Sequence, residues 1–322
     1  MTDTFWTGLV QQVLLIYPTN KNMKLTKIDV LKFLKDHTQK NVDEVIPVGN
    51  GEWSQAFFYK EAGTDKVVRF SAIDDDFKRD KFAQCFNSPN LPIPEIEEIG
   101  KAFDGFFAIS KKVDGVMIDH LNKEEMKRII PSLLDLLNSL RTIDTSKTTG
   151  FGGWDTVGNG TRSSWRDFLI SKVSRERIVN TEALKIFDLA YEELLKLLNF
   201  CPEDRHVVHN DLLHFNLLVE GNKVAGIIDW GCALYGDYLY DLAMFTTWQF
   251  YYPAMSGIDF KGEARRYFEE RGADLSHFDE RLKCYQLHLF LDSMAYNSYK
   301  ENWKNVEMVA NQLTKILENN EH

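Results

Sequence analysis

Hydrophobic and polar residues change rhythm along this chain. Over residues 24–37, KLTKIDVLKFLKDH, apolar side chains recur at three- and four-residue spacing, so that Leu25, Ile28, Leu31 and Leu34 would share one helical face. The stretch from Leu9 to Leu15 is also helix-compatible. From Val45 the rhythm shortens. Ala56–Tyr59 and Lys66–Phe70 are β-favouring runs separated by Glu61-Ala62-Gly63-Thr64-Asp65, which predicts a hairpin with glycine in its loop. Two further strands are expected near Glu95–Ile99 and Phe106–Ser110.

Beyond Asp114-Gly115 helical spacing takes over, at 123–142, 181–199, 239–251 and 279–297. Gly150–Gly160 is the one loosely composed stretch and reads as a surface loop, and no internal repeat is present. The pattern predicts an α+β chain in two lobes: residues 1–110, β-rich with leading helices, and residues 111–322, mainly helical. At 322 residues the chain is long enough to bury a full core and to hold a cleft between two such parts.

Composition narrows the ligand classes. The chain is 44% hydrophobic and 27% charged, as ordinary globular proteins are, with a formal net charge of -10. Nucleic acid is a poor partner for such a chain, because phosphate-backbone binding relies on clustered Lys and Arg. The negative excess is concentrated: residues 1–112 hold 15 Lys+Arg against 16 Asp+Glu, and residues 113–322 hold 23 against 32. Such a surface is either solubilising or complementary to a cationic ligand.

Cys85, Cys201, Cys232 and Cys284 form no C-x-x-C pair, so neither a zinc site nor a disulfide framework is suggested. A reducing, cytoplasmic setting fits them. Near the start stand Asp3 and only a short apolar run, Val10 to Tyr17, without the features of a signal peptide or a membrane span.

The chemistry is concentrated in HVVHNDLLHFNLLVEGNKVAGIIDWGCALYGDYLYD, residues 206–241. Leu217–Glu220 and Lys223–Ile228 are strand-like runs flanking Gly221-Asn222, a two-residue hairpin connection. Counting from that turn pairs Glu220 with Lys223, Leu218 with Ala225, and Asn216 with Ile227. Asn216 and Asp229 then stand at the same open end, as a diagonal pair roughly 7–8 Å apart between backbones. One amide and one carboxylate are hard oxygen ligands that suit Mg²⁺, whose other positions are filled by water and phosphates.

Asp211, five residues before Asn216, enters the same end and could orient and deprotonate a hydroxyl there. Singly, each of these three residues is a common turn former. Together, H-N-D-x4-N followed by I-I-D-W-G is a far more specific pattern. His206, His209 and His214 complete no familiar zinc set, and His209 reads as a hydrogen-bonded loop residue.

His209-Asn210-Asp211-Leu212-Leu213-His214-Phe215-Asn216 resembles the H-x-D-x4-N catalytic loop of aminoglycoside phosphotransferases, and Ile228-Asp229-Trp230-Gly231 resembles their metal-binding segment. Gly51–Phe57, Leu91–Glu95, Ile109–Lys112, Gly150–Gly152 and Trp165–Phe168 are similar to the members that modify hygromycin B, and the likeness spans about residues 45–295.

The resemblance implies a protein-kinase-like fold and an ATP-dependent O-phosphotransferase with Asp211 as base and Asn216 and Asp229 on Mg²⁺. It implies a phosphate-covering loop from Gly49 to Ala56, including Gly51 and Ser54, and a hinge beside adenine from Ser110 to Lys112. Arg69 stands where most kinases have a phosphate-contacting lysine, with Asp80 the best acidic partner. Asp237 and Asp241 resemble bracing aspartates of the family. The acceptor implied is a cationic aminoglycoside, hygromycin B or a similar compound, handled by a monomer that confers resistance.

Trp230, Trp248, Tyr251, Tyr252 and Asp292 are candidates for the acceptor pocket, although aromatics at helical spacing more often belong to the core. Two other readings stay open: a kinase of choline, a sugar or an amino-acid derivative on the same fold, and a nucleotide-binding module without transfer.

Overall fold

The computed structural model describes residues 24–50, 54–171, 178 and 181–318. The helix expected around Leu9 to Leu15 and the candidate Gly51 lie outside the described residues.

Helix α1 (Lys27–Thr38) starts at a capping box in which Thr26 and Asp29 satisfy each other's backbone amides. Its buried stripe is Val30 and Leu34, with Leu25, Leu31 and Phe33 partly covered, while Ile28 is 79% exposed. Leu25, Leu31 and Leu34 thus pack as expected, whereas Ile28 faces solvent and Val30 takes its place against the sheet below. That sheet has five antiparallel strands, β1 (Val42–Asn50), β2 (Ser54–Glu61), β3 (Thr64–Ser71), β4 (Ile96–Ala102) and β5 (Gly105–Lys111), in the order β1-β2-β3-β5-β4. Alternate residues Phe57, Tyr59, Val68, Phe70, Phe107 and Ile109 face α1.

The β2–β3 turn pairs Glu61 with Thr64 across Ala62 and Gly63, both at positive φ, the geometry that matches the twist of a two-residue hairpin. Helix α2 (Asp75–Ala83) bridges β3 and β4 and carries Asp76 and Asp80.

The remainder is mainly helical. After β6 (Val116–Met117) come α3 (Lys123–Arg141), β7 (Phe151–Trp154), β8 (Gly160–Arg162), α4 (Trp165–Ser171) and α5 (Thr181–Leu197). Strands β9 (His206–Val208), β10 (Leu217–Glu220), β11 (Lys223–Ile227) and β12 (Leu234–Gly236) follow, then α6 (Leu239–Trp248), α7 (Phe260–Glu270), α8 (Phe278–Tyr299) and α9 (Trp303–Glu318). Helix α8 is the hub, packed against α5, α6 and α9. The architecture is the α+β one expected, sheet-rich first and helical after. No described helix is long and apolar enough to cross a membrane.

Two local expectations are corrected. Gly150–Gly160 is not a loose surface loop: β7 joins β12 and β8 in a four-stranded sheet, and Gly152, Gly153 and Trp154 are buried. The glycines serve close backbone approach, since a Cβ on Gly150, at φ +73, would stand 2.2 Å from the Gly160 carbonyl oxygen. In the β10–β11 hairpin Glu220 does face Lys223, but a bulge then shifts the register so that Leu218 faces Gly226 and Leu217 faces Ile227. The bulge carries the ladder one step on, and Ile228 N donates to Asn216 O at 3.0 Å.

Candidate active site

The loop between β9 and β10 is held from below by α6. Asp241 accepts hydrogen bonds from the backbone N–H of His209 and of Asn210, both at 2.8 Å. Asp237 caps the same helix through Leu239 N at 3.1 Å and forms a buried two-pronged ion pair with Arg281, at 2.7 and 2.8 Å. This bracing matters because Asn210, His214, Phe215 and Asp229 all adopt positive φ. Such backbone persists only where its surroundings over-determine it, at about 1–3 kcal/mol per residue.

Asp211 is held on both oxygens. Its Oδ1 lies 3.0 Å from His214 Nδ1, and its Oδ2 accepts from Asn216 Nδ2 at 2.8 Å. Burial pushes the His214 imidazole down to about 3, so the contact is a hydrogen bond from a neutral ring rather than an ion pair. The Asp211 side chain keeps 18% exposure, enough for an outside hydroxyl to reach it. Burial first, and then the Asp229 and Asp119 charges, raise its carboxyl well above the usual range. Asn216 Nδ2 also donates to Asp211 O at 2.8 Å, which commits the amide nitrogen and leaves the amide oxygen as its atom for a cation.

Asp229 follows β11 at φ +61. Its neighbours come from α2. A Cβ on Gly231 would sit 3.0 Å from Asp76 Oδ1 and 3.2 Å from Asp229 Oδ1, so the missing side chain makes room for both carboxylates. Asp80 pairs with Arg69 of β3 through Oδ2 and accepts from Trp230 N through Oδ1 at 2.7 Å. The expected partner of Arg69 is thus Asp80, which also ties the first sheet to the Asp229 segment. The Arg69 guanidinium lies 5.1 Å from the Phe77 ring.

Asp76 is pushed up to about 6, chiefly by burial and then by Asp229, although Arg79 Nη1 stands 2.7 Å from its Oδ1. The negative charge around Asp229 is therefore only partly balanced by protein cations. Among the described residues no group of three or more His, Cys, Asp and Glu side chains is arranged to hold a metal. An amide oxygen and a carboxylate within a partly balanced acidic field, beside an open cleft, fit Mg²⁺ that completes its shell from phosphate and water.

That cleft encloses about 700 Å³, part of it open to solvent, between the five-stranded sheet and the β10–β11 hairpin. Val48, Ala56, Phe58 and Val67 form one wall and Met117, Leu218 and Ile227 the other, with Ser110 between them and Arg69, Asp80 and Asp229 at one end. Apolar walls with a few polar groups are the surroundings a flat heteroaromatic base requires. Arg69, Ser110 and Asp229 are thus brought together. Ser54 and Lys112 lie outside the lining: Ser54 pairs with Ser71 at the start of β2, and Lys112 reaches Asp114 at 2.9 Å.

The acceptor candidates divide. Trp248 is fully buried, edge-on to Phe290, and Trp230 stacks on Trp154 at 6.0 Å, so both side chains belong to the core. Asp292 is buried within α8. Tyr252 lies beside the His214 ring, with its hydroxyl in the electrostatic field of Asp119. Asp119 itself was not expected: its Oδ2 accepts from Phe215 N at 2.8 Å across 96 residues of sequence. Only the short segment after β6, carried to the site by pairing with β10, puts it there.

Comparison with protein-family profiles matches residues 46–276 to the phosphotransferase enzyme family, APH. The chain belongs to the phosphotransferase enzyme family. Among curated relatives of this phosphotransferase is hygromycin-B 4-O-kinase of Escherichia coli, 29% identical over 281 residues that cover 85% of this chain and 80% of the relative. Among solved structures, a thermostable mutant of aminoglycoside phosphotransferase APH(4)-Ia, in ternary complex with AMP-PNP and hygromycin B, superposes with a TM-score of 0.81 at 27% identity. That match covers 92% of the phosphotransferase and 99% of the solved chain. ADP-bound aminoglycoside phosphotransferase APH(2'')-Ib, at 17% identity and a TM-score of 0.59 over 91% of this chain and 99% of its own, shares the fold.

Proposed function

We propose that this phosphotransferase moves the γ-phosphoryl group of ATP to a hydroxyl of an aminoglycoside of the hygromycin B type, with residues 1–110 and 111–322 as its two lobes. The observation that carries the reading is that Asp211, bonded by Asn216, feels the charge of Asp229, which lines the apolar cleft. The similarity to hygromycin-B 4-O-kinase supports the acceptor class, and so does the acidic excess of residues 113–322.

In this reading adenine occupies the apolar cleft beside Ser110, and Arg69, oriented by Asp80, contacts the phosphates nearest the base. Asn216 Oδ1 and an Asp229 carboxylate oxygen would hold Mg²⁺, which would neutralise and orient the phosphates. Asp211 accepts a hydrogen bond from the acceptor hydroxyl. As the acceptor oxygen bonds to the γ-phosphorus and the β–γ bridging bond breaks, the hydroxyl proton passes to Asp211 and ADP leaves with the bridging oxygen. Positioning and charge neutralisation account for most of the rate in such a transfer.

We further propose that the enzyme works as a cytoplasmic monomer, where ATP is available and its four free cysteines stay reduced. The test is magnesium-dependent ADP release with hygromycin B, kanamycin, choline or no acceptor, with the phosphorylated product identified by mass spectrometry. Phosphorylated hygromycin B is the expected result. Turnover with choline alone would transfer the site to a different kinase class, and turnover with none would favour the binding-module reading.

A further inference from the structure

Phe215 stands between two groups of the catalytic loop, His214 on Asp211 and the proposed metal ligand Asn216, yet no part of the mechanism uses it. Three observations set it apart from an ordinary surface phenylalanine. Its backbone is at φ +70, an unfavourable conformation for a bulky side chain. That backbone is pinned by Asp119, whose carboxylate takes the Phe215 amide at 2.8 Å. The ring so presented is 47% exposed, with its one ring contact among the described residues an edge-to-face meeting with the exposed His120 at 5.6 Å. The fold thus spends strain and a hydrogen bond on keeping an apolar ring in water, four residues from Asp211 and next to Asn216 in the same loop.

None of Asp119, His120, Phe215 and Tyr252 lines the apolar cleft. They occupy the surroundings of Asp211 that the nucleotide does not need, and Asp119 and Tyr252 both act electrostatically on or with Asp211. A ring in that place offers a flat, electron-rich face, which attracts the C–H face of a saturated ring and any ammonium group on it.

We propose that Phe215, positioned by Asp119 and backed by His120, is a specificity-determining residue on which the amine-bearing ring of the acceptor stacks. The inference rests on the aminoglycoside reading and adds to it which side chain selects the ring. Acceptors with a protonated aminocyclitol or amino-sugar next to the reacting hydroxyl are favoured, and flexible or anionic acceptors are disfavoured.

The experiment measures acceptor KM and kcat for hygromycin B in the wild type and in Phe215→Ala, Phe215→Tyr and Phe215→Trp, with calorimetric binding of hygromycin B to each in the presence of Mg·AMP-PNP. Loss of a cation–π and stacking face predicts a rise of about tenfold in acceptor KM and Kd for Phe215→Ala, with both values restored within about twofold by the aromatic replacements. Unchanged acceptor KM and Kd in Phe215→Ala overturn the inference, as does equal impairment in the alanine and tryptophan variants, which would mean a shape requirement of the loop. Should Phe215→Ala fail to fold, His120→Ala is expected to raise acceptor KM by about threefold, and no rise there overturns the inference equally. A wild type that phosphorylates no aminoglycoside removes the functional reading first, an outcome visible before any variant is compared.

Discussion

On the proposed nucleotide side of Asp211 the charged groups are mutually engaged and carried by regular elements: Arg69 on β3 pairs with Asp80 on α2, and Asp80 also takes the Trp230 amide that follows Asp229. On the other side Asp119, His120, Phe215 and Tyr252 come from short irregular segments, two of them exposed and one at strained φ. The contrast follows the ligands. A nucleotide always presents the same base and phosphates, so its side can be fixed by a buried network. An acceptor differs from one enzyme to the next, and loop segments can change without disturbing the packed elements that support them.

If that division is right, substitutions on the nucleotide side should damage binding and fold together, whereas those on the acceptor side should alter acceptor kinetics alone. Away from Asp211 itself, the largest effect is expected at Asp229→Ala. It removes the proposed metal carboxylate, so turnover should fall by at least about 10²–10³-fold and Mg·AMP-PNP should bind more weakly by titration calorimetry. Unaltered nucleotide binding would take Asp229 out of the metal site.

Next comes Asp80→Ala, which leaves Arg69 buried without its partner and Trp230 N without an acceptor. Denaturant unfolding should register a loss of about 3–5 kcal/mol. A loss below about 1 kcal/mol would mean that the two lobes do not depend on this link. The smallest effect is expected at Tyr252→Phe, which removes a hydroxyl lying in the field of Asp119 and Asp211. Acceptor kcat/KM should drop about fivefold, roughly 1 kcal/mol, with nucleotide KM unchanged. A matching change in nucleotide KM would erase the distinction between the two sides.

The same division governs what could be read from the sequence. The β2–β3 and β10–β11 hairpins were legible because alternation and a two-residue turn are local signals, and Asp211, Asn216 and Asp229 because their spacing places them at one hairpin end. The register shift was not, since it arises where Gly226 packs against Val113: a Cβ there would stand 2.6 Å from a Val113 methyl. An isolated glycine inside a strand was the available signal. Helices α2, α4, α7 and α9 were not among the periodic segments expected. The acceptor side was least legible, because Asp119 reaches Phe215 only through strand pairing across 96 residues. Trp248 illustrates the converse, an aromatic candidate whose full burial places it in the core.

In the proposed mechanism Asp211 works on the acceptor hydroxyl and not on the nucleotide. Asp211→Ala and wild type should therefore be compared, on the same preparations, in phosphoryl transfer to hygromycin B and in Mg·AMP-PNP binding. A fall in kcat of about 10²–10⁴-fold is expected, the range for removal of a positioned general base, with nucleotide Kd changed by no more than about threefold. Transfer within about tenfold of wild type, or loss of nucleotide binding in step with turnover, would contradict it.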